Sequence, residues 1–300
     1  MRPPRKRPES LTWVEQTLGR GARVVATRLL TGGLTSLVHE LAVVRNGRRS
    51  RYVLRSWAPD NEHKDWILRT VAAEAAVLTA LERSDVPAPR LVASTGDVAA
   101  GGPALLMTRV PGRVFLMPRD REHWLRQMAQ MLARIHALDA TGAGFESWLD
   151  AGKLTPPADA SRADIWREAF ALVAEQRRAT RTCFIHRDYQ HFNLLWSRER
   201  LTGVVDWGGA GVGPPDVDVG HCRLNLTLLF SVHVAERFRE LYEAESGRAV
   251  DQYWDLHALL SYGPDWKNFL PLQIDGRAPL EVEGMTRRME EVLTLALRRT

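Results

Sequence analysis

The chain has 300 residues, 45% of them hydrophobic and 26% charged, with a formal net charge of +5. This is the balance of an ordinary soluble globular protein, long enough for one large domain or two lobes around a sizeable core. No apolar run approaches the ~18–20 residues needed to span a bilayer, and the opening MRPPRKRPES has no apolar stretch behind it as a secretory signal requires, so a cytoplasmic protein with no membrane partner is expected.

The positive charge does not spread evenly. Arg2, Arg5, Lys6 and Arg7, set against Glu9, supply three of the five charges, and the surplus reads as a solvated tail. Zinc-finger spacing, an RNP signature and a lysine-rich stripe are all missing from the sequence, so no nucleic-acid partner is expected. The two cysteines, Cys183 and Cys222, form no CxxC pair. In a cytosolic chain they read as two buried thiols rather than a disulfide or a metal site.

In chain order, residues 1–19 read as a basic flexible tail and lead-in. Residues 20–110 read as a first lobe, with strands over Val24–Leu30, Leu37–Val44 and Arg51–Arg55. Asn46-Gly47 is a strong hairpin signal between the last two. Trp66, Ile67, Val71, Ala75, Leu78 and Leu81 recur at helical spacing, with Glu74 in the same helix, until Pro87 and Pro89. Pro89–Ser94 and Ala104–Thr108 look like two more strands, and Pro111-Gly112 marks a break.

Residues 111–300 read as a mainly helical second lobe. Trp124, Met128, Met131, Leu132 and Ile135 form one apolar helix face. Residues 140–162 read as irregular and Ile165–Ala179 as helix. A strand-rich island follows, with apolar runs at Thr182–Ile185, Asn193–Trp196 and Gly203–Trp207, and a polar turn at Ser197–Arg200 between the last two. Helices are expected from about Leu224 to Leu297.

The chemistry concentrates in that island. His186-Arg187-Asp188 is followed by Asn193 after five residues and by Asp206-Trp207-Gly208 after eighteen. Each acidic or amide group follows or ends an apolar run, which sets it at the rim of a sheet where a ligand can reach it. Phosphoryl transfer needs such a set. A hard Mg²⁺ ion takes one or two protein oxygens plus phosphates and waters, which Asn193 and Asp206 can provide. A separate carboxylate, Asp188, can orient the nucleophilic hydroxyl and accept its proton.

The pattern HRDYQHFN followed by DWGGAG resembles the catalytic and metal loops of the protein-kinase-like superfamily, and most closely the aminoglycoside phosphotransferase family, which includes choline, homoserine and macrolide kinases. Trp207 after Asp206, the segment Gly213–Gly220 (GPPDVDVG, similar to G-D-P-x-x-D-L-A), and the lack of an A-P-E motif point to that branch. The resemblance implies an α+β, bilobal fold with nucleotide and two Mg²⁺ in the cleft. It makes Asp188 the catalytic base, Asn193 and Asp206 the metal ligands, and Asp218, with His186, structural support for the catalytic loop. In the first lobe Arg55 stands where the superfamily has its phosphate-binding lysine, and Glu74 resembles the helix glutamate paired with it. The turn with Gly32, Gly33 and Ser36 would cover the phosphates, and Met107–Val110 would be the hinge that reads the purine.

The expected function is therefore transfer of the γ-phosphoryl of ATP or GTP, with Mg²⁺, to a hydroxyl of a small molecule. Some readings stay open. Gly32-Gly33 can also be a plain hairpin turn, and Arg55 a solvated strand-end arginine. His136 reads as a packing or capping residue, and His191 as one that can shape the catalytic loop. A catalytically silent nucleotide-binding protein and a nucleic-acid binder working through the basic tail are the rival functions. Residues 231–300 carry 12 acidic against 9 basic side chains, a lean towards a cationic acceptor.

Overall fold

Packing divides the chain after Val110 into two units, Met1–Val110 and Pro111–Thr300. The structure is a computed structural model that describes residues 9–30, 36–58, 63–97, 100–175, 177–263, 266–274 and 276–299. The Gly32-Gly33 turn lies outside the described residues.

The first described element is helix α1 (Glu9–Leu18), in the lead-in where the sequence reading named no element. Leu11, Val14 and Leu18 recur at helical spacing and join the cluster of Leu41, Val43, Leu54 and Leu106. Glu15 adds a tie, its Oε1 accepting the Val24 amide at 2.6 Å. Strands β1 (Arg23–Leu30), β2 (Leu37–Arg45) and β3 (Arg48–Ser56) precede helix α2 (Lys64–Leu81), and β4 (Leu91–Thr95) and β5 (Ala104–Thr108) follow it. They form one antiparallel sheet in the order β1-β2-β3-β5-β4. Asn46 and Gly47 turn the β2–β3 hairpin with φ of 50° and 75°, the left-handed pair that matches strand twist. Helix α2 buries Ile67, Val71, Glu74, Ala75, Leu78 and Leu81 and packs on β4 and β5.

The second unit runs α3 (Arg121–His136), β6 (Ala143–Gly144), α4 (Ala163–Ala174), β7 (Cys183–Ile185), β8 (Leu194–Ser197), β9 (Arg200–Val204), β10 (Gly211–Gly213), α5 (Pro215–Leu229), α6 (Val232–Ser246), α7 (Gln252–Leu259), α8 (Trp266–Ile274) and α9 (Met285–Leu297). Strands β8 and β9 pair as a hairpin whose turn residues, Arg198 and Glu199, take φ of 49° and 62°. The chain enters this unit tight against that hairpin. A Cβ at Gly112 would meet Thr202 Oγ1 at 2.5 Å and the Trp196 amide at 2.9 Å, and φ there is +113°, so only glycine fits. Strand β10 lies between β6 and β7.

Several elements of the second unit differ from the sequence reading. Helix α4 stops at Ala174, short of Ala179. Strand β9 ends at Val204, before Asp206, because Asp206 leaves the ladder with φ of 67°. Strand β10 is three residues of Gly-Val-Gly, too short and too glycine-rich for a strand signal. Helix α5 starts at Pro215, well before Leu224. Nearly every residue of it is buried, so no polar face marks its period. Proline in its first turn is nonetheless a start signal.

Helix α5 is the axis of the second unit, packed by α6, α7 and α9. Leu224, Leu228 and Leu229 join Trp166, Leu256, Met289 and Val292 in the main core. Arg223, fully buried, pairs with Asp255 and Glu236, and Arg299 reaches the same two carboxylates at 2.9 Å each. Among the described residues, no helix is long and apolar enough to cross a membrane.

Candidate active site

The loop from β7 to β8 carries His186, Arg187 and Asp188, and it is held from below by Asp218 in the first turn of α5. The Asp218 carboxylate is fully buried. Its Oδ2 accepts the His186 amide at 2.7 Å and its Oδ1 the Arg187 amide at 2.6 Å. His136 Nε2, at the end of α3, is 3.1 Å from Oδ2, and Tyr242 Oη holds the other ring nitrogen of His136 at 2.8 Å. Two amides can reach one carboxylate because Arg187 takes φ of 70°, a conformation that a non-glycine residue keeps only when its surroundings enforce it.

Further anchors flank the same loop. Tyr189 is buried and donates to Met128 O at 2.7 Å. The Arg187 guanidinium turns away from Asp188, donating to Glu146 O and lying 4.7 Å and 4.2 Å from the Phe145 and Trp148 ring centres. His191 is buried between Trp124, Phe192 and Phe230, and burial pushes its pKa down to about 3. It thus shapes the loop as a neutral ring.

Asp188 itself keeps 27% of its side-chain surface, enough for a ligand atom to reach it. Its Oδ1 accepts from Gln190 Nε2 at 2.7 Å and from His221 Nε2 at 2.8 Å, and its Oδ2 accepts from Asn193 Nδ2 at 2.8 Å. Burial raises the carboxyl's pKa, but the hydrogen bond and charge of His221, with His186 and Asn193, outweigh it and hold the group below its ordinary value.

The hairpin register brings Asp206 to the same place. Leu194 pairs with Val204, and the Val205 amide donates to Asn193 O at 2.9 Å, so the backbones of Asn193 and Asp206 are a residue apart across the ladder. His186 Nε2 donates to Val205 O at 3.1 Å. Trp207 is fully buried and donates to Val204 O at 3.0 Å, with its ring 4.4 Å from His186. The aromatic residue after Asp206 is an anchor that fixes the turn on which the carboxylate stands.

The donor set of Asn193 and Asp206 fits a hard divalent ion. The amide nitrogen of Asn193 is committed to Asp188 O and Oδ2, so its carbonyl oxygen is the atom that could ligate an ion, and Asp206 could add a carboxylate. Among the described residues, no three His, Cys, Asp or Glu side chains gather as a metal cage. Two oxygens suit an ion that takes phosphates and water for its other positions.

The first unit carries a separate cationic feature. Arg55, on β3, pairs with Glu74 of α2 at 2.8 Å. Its Nε donates to Ser36 Oγ at 3.0 Å, and its guanidinium lies 4.9 Å from the Trp57 ring centre. Arg55 and Glu74 are both buried, unlike a solvated strand-end arginine. Met107 lies inside β5, in register with Val53 and Leu91, and Val110 follows the strand. The Thr108 amide donates to Arg90 O at 2.9 Å.

Three contributors to the Asp188–Asp218 cluster escaped the sequence reading: Gln190, His136 as a partner of Asp218, and His221. His221 had a findable signal, since it follows Asp218 by one helical turn and so shares its face of α5.

The chain resembles other proteins in sequence and in fold. A stretch of 212 residues is 26% identical to acyl-CoA dehydrogenase family member 10 of Mus musculus, covering 63% of this chain and 20% of that protein, so the chain spans about a fifth of the length of that curated relative. Among solved structures, a thermostable mutant of aminoglycoside phosphotransferase APH(4)-Ia in ternary complex with ADP and hygromycin B matches with a TM-score of 0.56 at 16% identity, over 96% of this chain and 97% of that one. Macrolide 2'-phosphotransferase MphH from Brachybacterium faecium matches with a TM-score of 0.56 at 19% identity, over 98% and 99%. At these identities the likeness is one of fold, here α+β and kinase-like. The family model described as phosphotransferase enzyme family matches residues 33–259. Because that span takes in Arg55, Glu74 and the whole loop from His186 to Asp218, well over half the chain, the protein belongs to the phosphotransferase enzyme family.

Proposed function

We propose that the chain is a small-molecule kinase, moving the γ-phosphoryl group of ATP or GTP to an acceptor hydroxyl. The observation that carries this reading is the Asp188 carboxylate, ionised and part-exposed, hydrogen-bonded to Asn193 beside the Asp206 turn. The ADP bound to the APH(4)-Ia structure supports a nucleotide co-substrate.

In this reading Asp188 orients the acceptor hydroxyl and takes its proton while the hydroxyl oxygen bonds to the γ-phosphorus and the bond to the β-phosphate oxygen breaks. A carboxylate held below its ordinary pKa is a weak base, but in a loose transition state the proton leaves late, so orientation matters more than basicity. Asn193 and Asp206 would hold Mg²⁺, which when bound neutralises charge on the phosphates. Arg55, fixed by Glu74 and Ser36, would bind phosphate oxygens as a permanent cation. The acceptor is proposed to be cationic, in keeping with the acidic excess of residues 231–300.

The test is nucleoside-diphosphate release, coupled to a reporter, with ATP and GTP and with or without Mg²⁺, across aminoglycosides, macrolides, choline and homoserine. Turnover with one class, abolished in Asp188→Ala while nucleotide binding survives, is the expected result. Nucleotide binding with no turnover on any acceptor would instead make this a silent member of the fold. Full activity in Asp188→Ala would overturn the assignment of the base.

A further inference from the structure

Three donors converge on Asp188, and they do not share it evenly. Oδ1 accepts from Gln190 Nε2 at 2.7 Å and His221 Nε2 at 2.8 Å; Oδ2 accepts only from Asn193 Nδ2, at 2.8 Å, among the described residues. A carboxylate oxygen offers about two lone-pair sites, so Oδ1 is saturated and Oδ2 keeps one acceptor site. We propose that His221 is a positioning residue for phosphoryl transfer: with Gln190 it saturates Oδ1 and thereby aims Oδ2 at the acceptor hydroxyl. The inference rests on the reading of Asp188 as the group that receives the hydroxyl proton.

The surroundings of His221 are built for this task. The side chain is almost fully buried on α5, and α5 is fixed at its start by Asp218 beneath the same loop. Tyr262 Oη lies 3.3 Å from the same Nε2, with its ring 5.4 Å from the imidazole centre. Phe269 packs on Tyr262 at 4.6 Å. A carboxylate can turn about its last side-chain bond, a torsion with a broad, roughly two-fold preference. Donors on both oxygens restrict that freedom, but Gln190 and Asn193 lie on the catalytic loop itself and can shift together with the carboxylate. His221 comes from a different element than Asn193 and Gln190, so it ties the carboxylate to the helix axis of the unit and not only to its own loop.

In the transfer step, the acceptor oxygen forms its bond to the γ-phosphorus as the bond to the diphosphate breaks. The hydroxyl proton passes to Oδ2, giving a neutral Asp188 whose Oδ1 still accepts from His221 and Gln190. No further reactant is needed.

The test compares His221→Met, which keeps bulk but deletes the donor, with His221→Gln, which places an amide N–H at similar reach. Crystal structures and MgATP turnover, with water and with each acceptor of the panel, are measured for both variants and the wild type. The expected result is an Asp188 carboxylate rotated in the Met variant and held in the Gln variant. The Met variant should lose ~10-fold or more in kcat, the scale of a misplaced reacting group, with an unchanged dissociation constant for ADP, and the Gln variant should recover most of it. An unrotated carboxylate with wild-type kcat in a folded Met variant overturns the proposal, as does equal loss in both variants. If the Met variant does not fold, Gln190→Met deletes the other donor to Oδ1 and must lower kcat in the same way; wild-type kcat there overturns it as well. Failure of the wild type to turn over any acceptor, water included, would refute the kinase reading instead, and the carboxylate's orientation in the variants would still decide the role of His221.

Discussion

Replacing Asp218 with asparagine is the sharpest probe of how the catalytic loop is held. The side chain is fully buried, and its two oxygens receive the His186 and Arg187 amides and face His136 Nε2. Asparagine keeps the shape but turns one oxygen into an NH₂ group. Whichever oxygen survives, at least one backbone N–H then meets another donor. A hydrogen bond to a charged group is worth ~1.5–3 kcal/mol, and a buried donor left without an acceptor costs ~1–3 kcal/mol, so the variant should lose about 3–5 kcal/mol. At roughly 2–4 °C per kcal/mol for a unit of this size, the melting temperature should fall by about 10 °C. Arg187 would also lose what enforces its φ of 70°, and its relaxation displaces Asp188, the proposed base, next to it. Turnover should then drop by about 100-fold at temperatures where the variant is still folded. Thermal melts by circular dichroism and diphosphate release measure the two effects. A melting temperature within ~2 °C of wild type, on the scale of under 1 kcal/mol, would show that the carboxylate is not what holds the loop.

Glu74→Gln removes the carboxylate charge beside the buried Arg55; breaking such a pair costs ~3–5 kcal/mol. Lower thermal stability and weaker MgATP binding are expected from calorimetry, and unchanged nucleotide affinity would separate Arg55 from phosphate binding. His191→Phe tests pH dependence. Burial lowers the His191 pKa to about 3, so below its ordinary value of ~6.5 the unfolded chain takes up a proton that the folded chain refuses. That stability is present in full above pH ~6.5 and is lost as pH falls towards the folded value. His257, lowered by burial to about 4, acts in the same sense. The phenylalanine variant should therefore lose melting temperature less steeply than wild type between pH ~7 and ~4.5, and parallel curves would refute this.

What the sequence revealed was local. Asn46-Gly47 announces its hairpin because two left-handed residues suit few other structures. Asp188, Asn193 and Asp206 are legible because a loop and a hairpin of fixed length separate them. Glu74 could be paired with Arg55 only through a family resemblance. The parts that stayed hidden depend on contacts between distant segments. Helix α1 is stable because Val14 and Glu15 dock on the sheet. Helix α5 is buried on nearly all sides, so its period is silent. His136 reaches Asp218 from α3, and no spacing rule reports an approach of that kind. The spacing of His221 from Asp218 shows a shared helix face but not that this face meets Asp188.

The three donors around Asp188 also bear on which hydroxyls the protein could select. A carboxylate stabilised as an anion gains little from an acidic hydroxyl and gives little help to a reluctant one. Rates across a series of acceptors should then be nearly flat against hydroxyl acidity, with a Brønsted slope near zero. They should vary instead with where the rest of the molecule holds that oxygen. Chemically similar hydroxyls on one sugar or polyol would be told apart by position, and regioselectivity would come from the acceptor's mooring rather than from its reactivity.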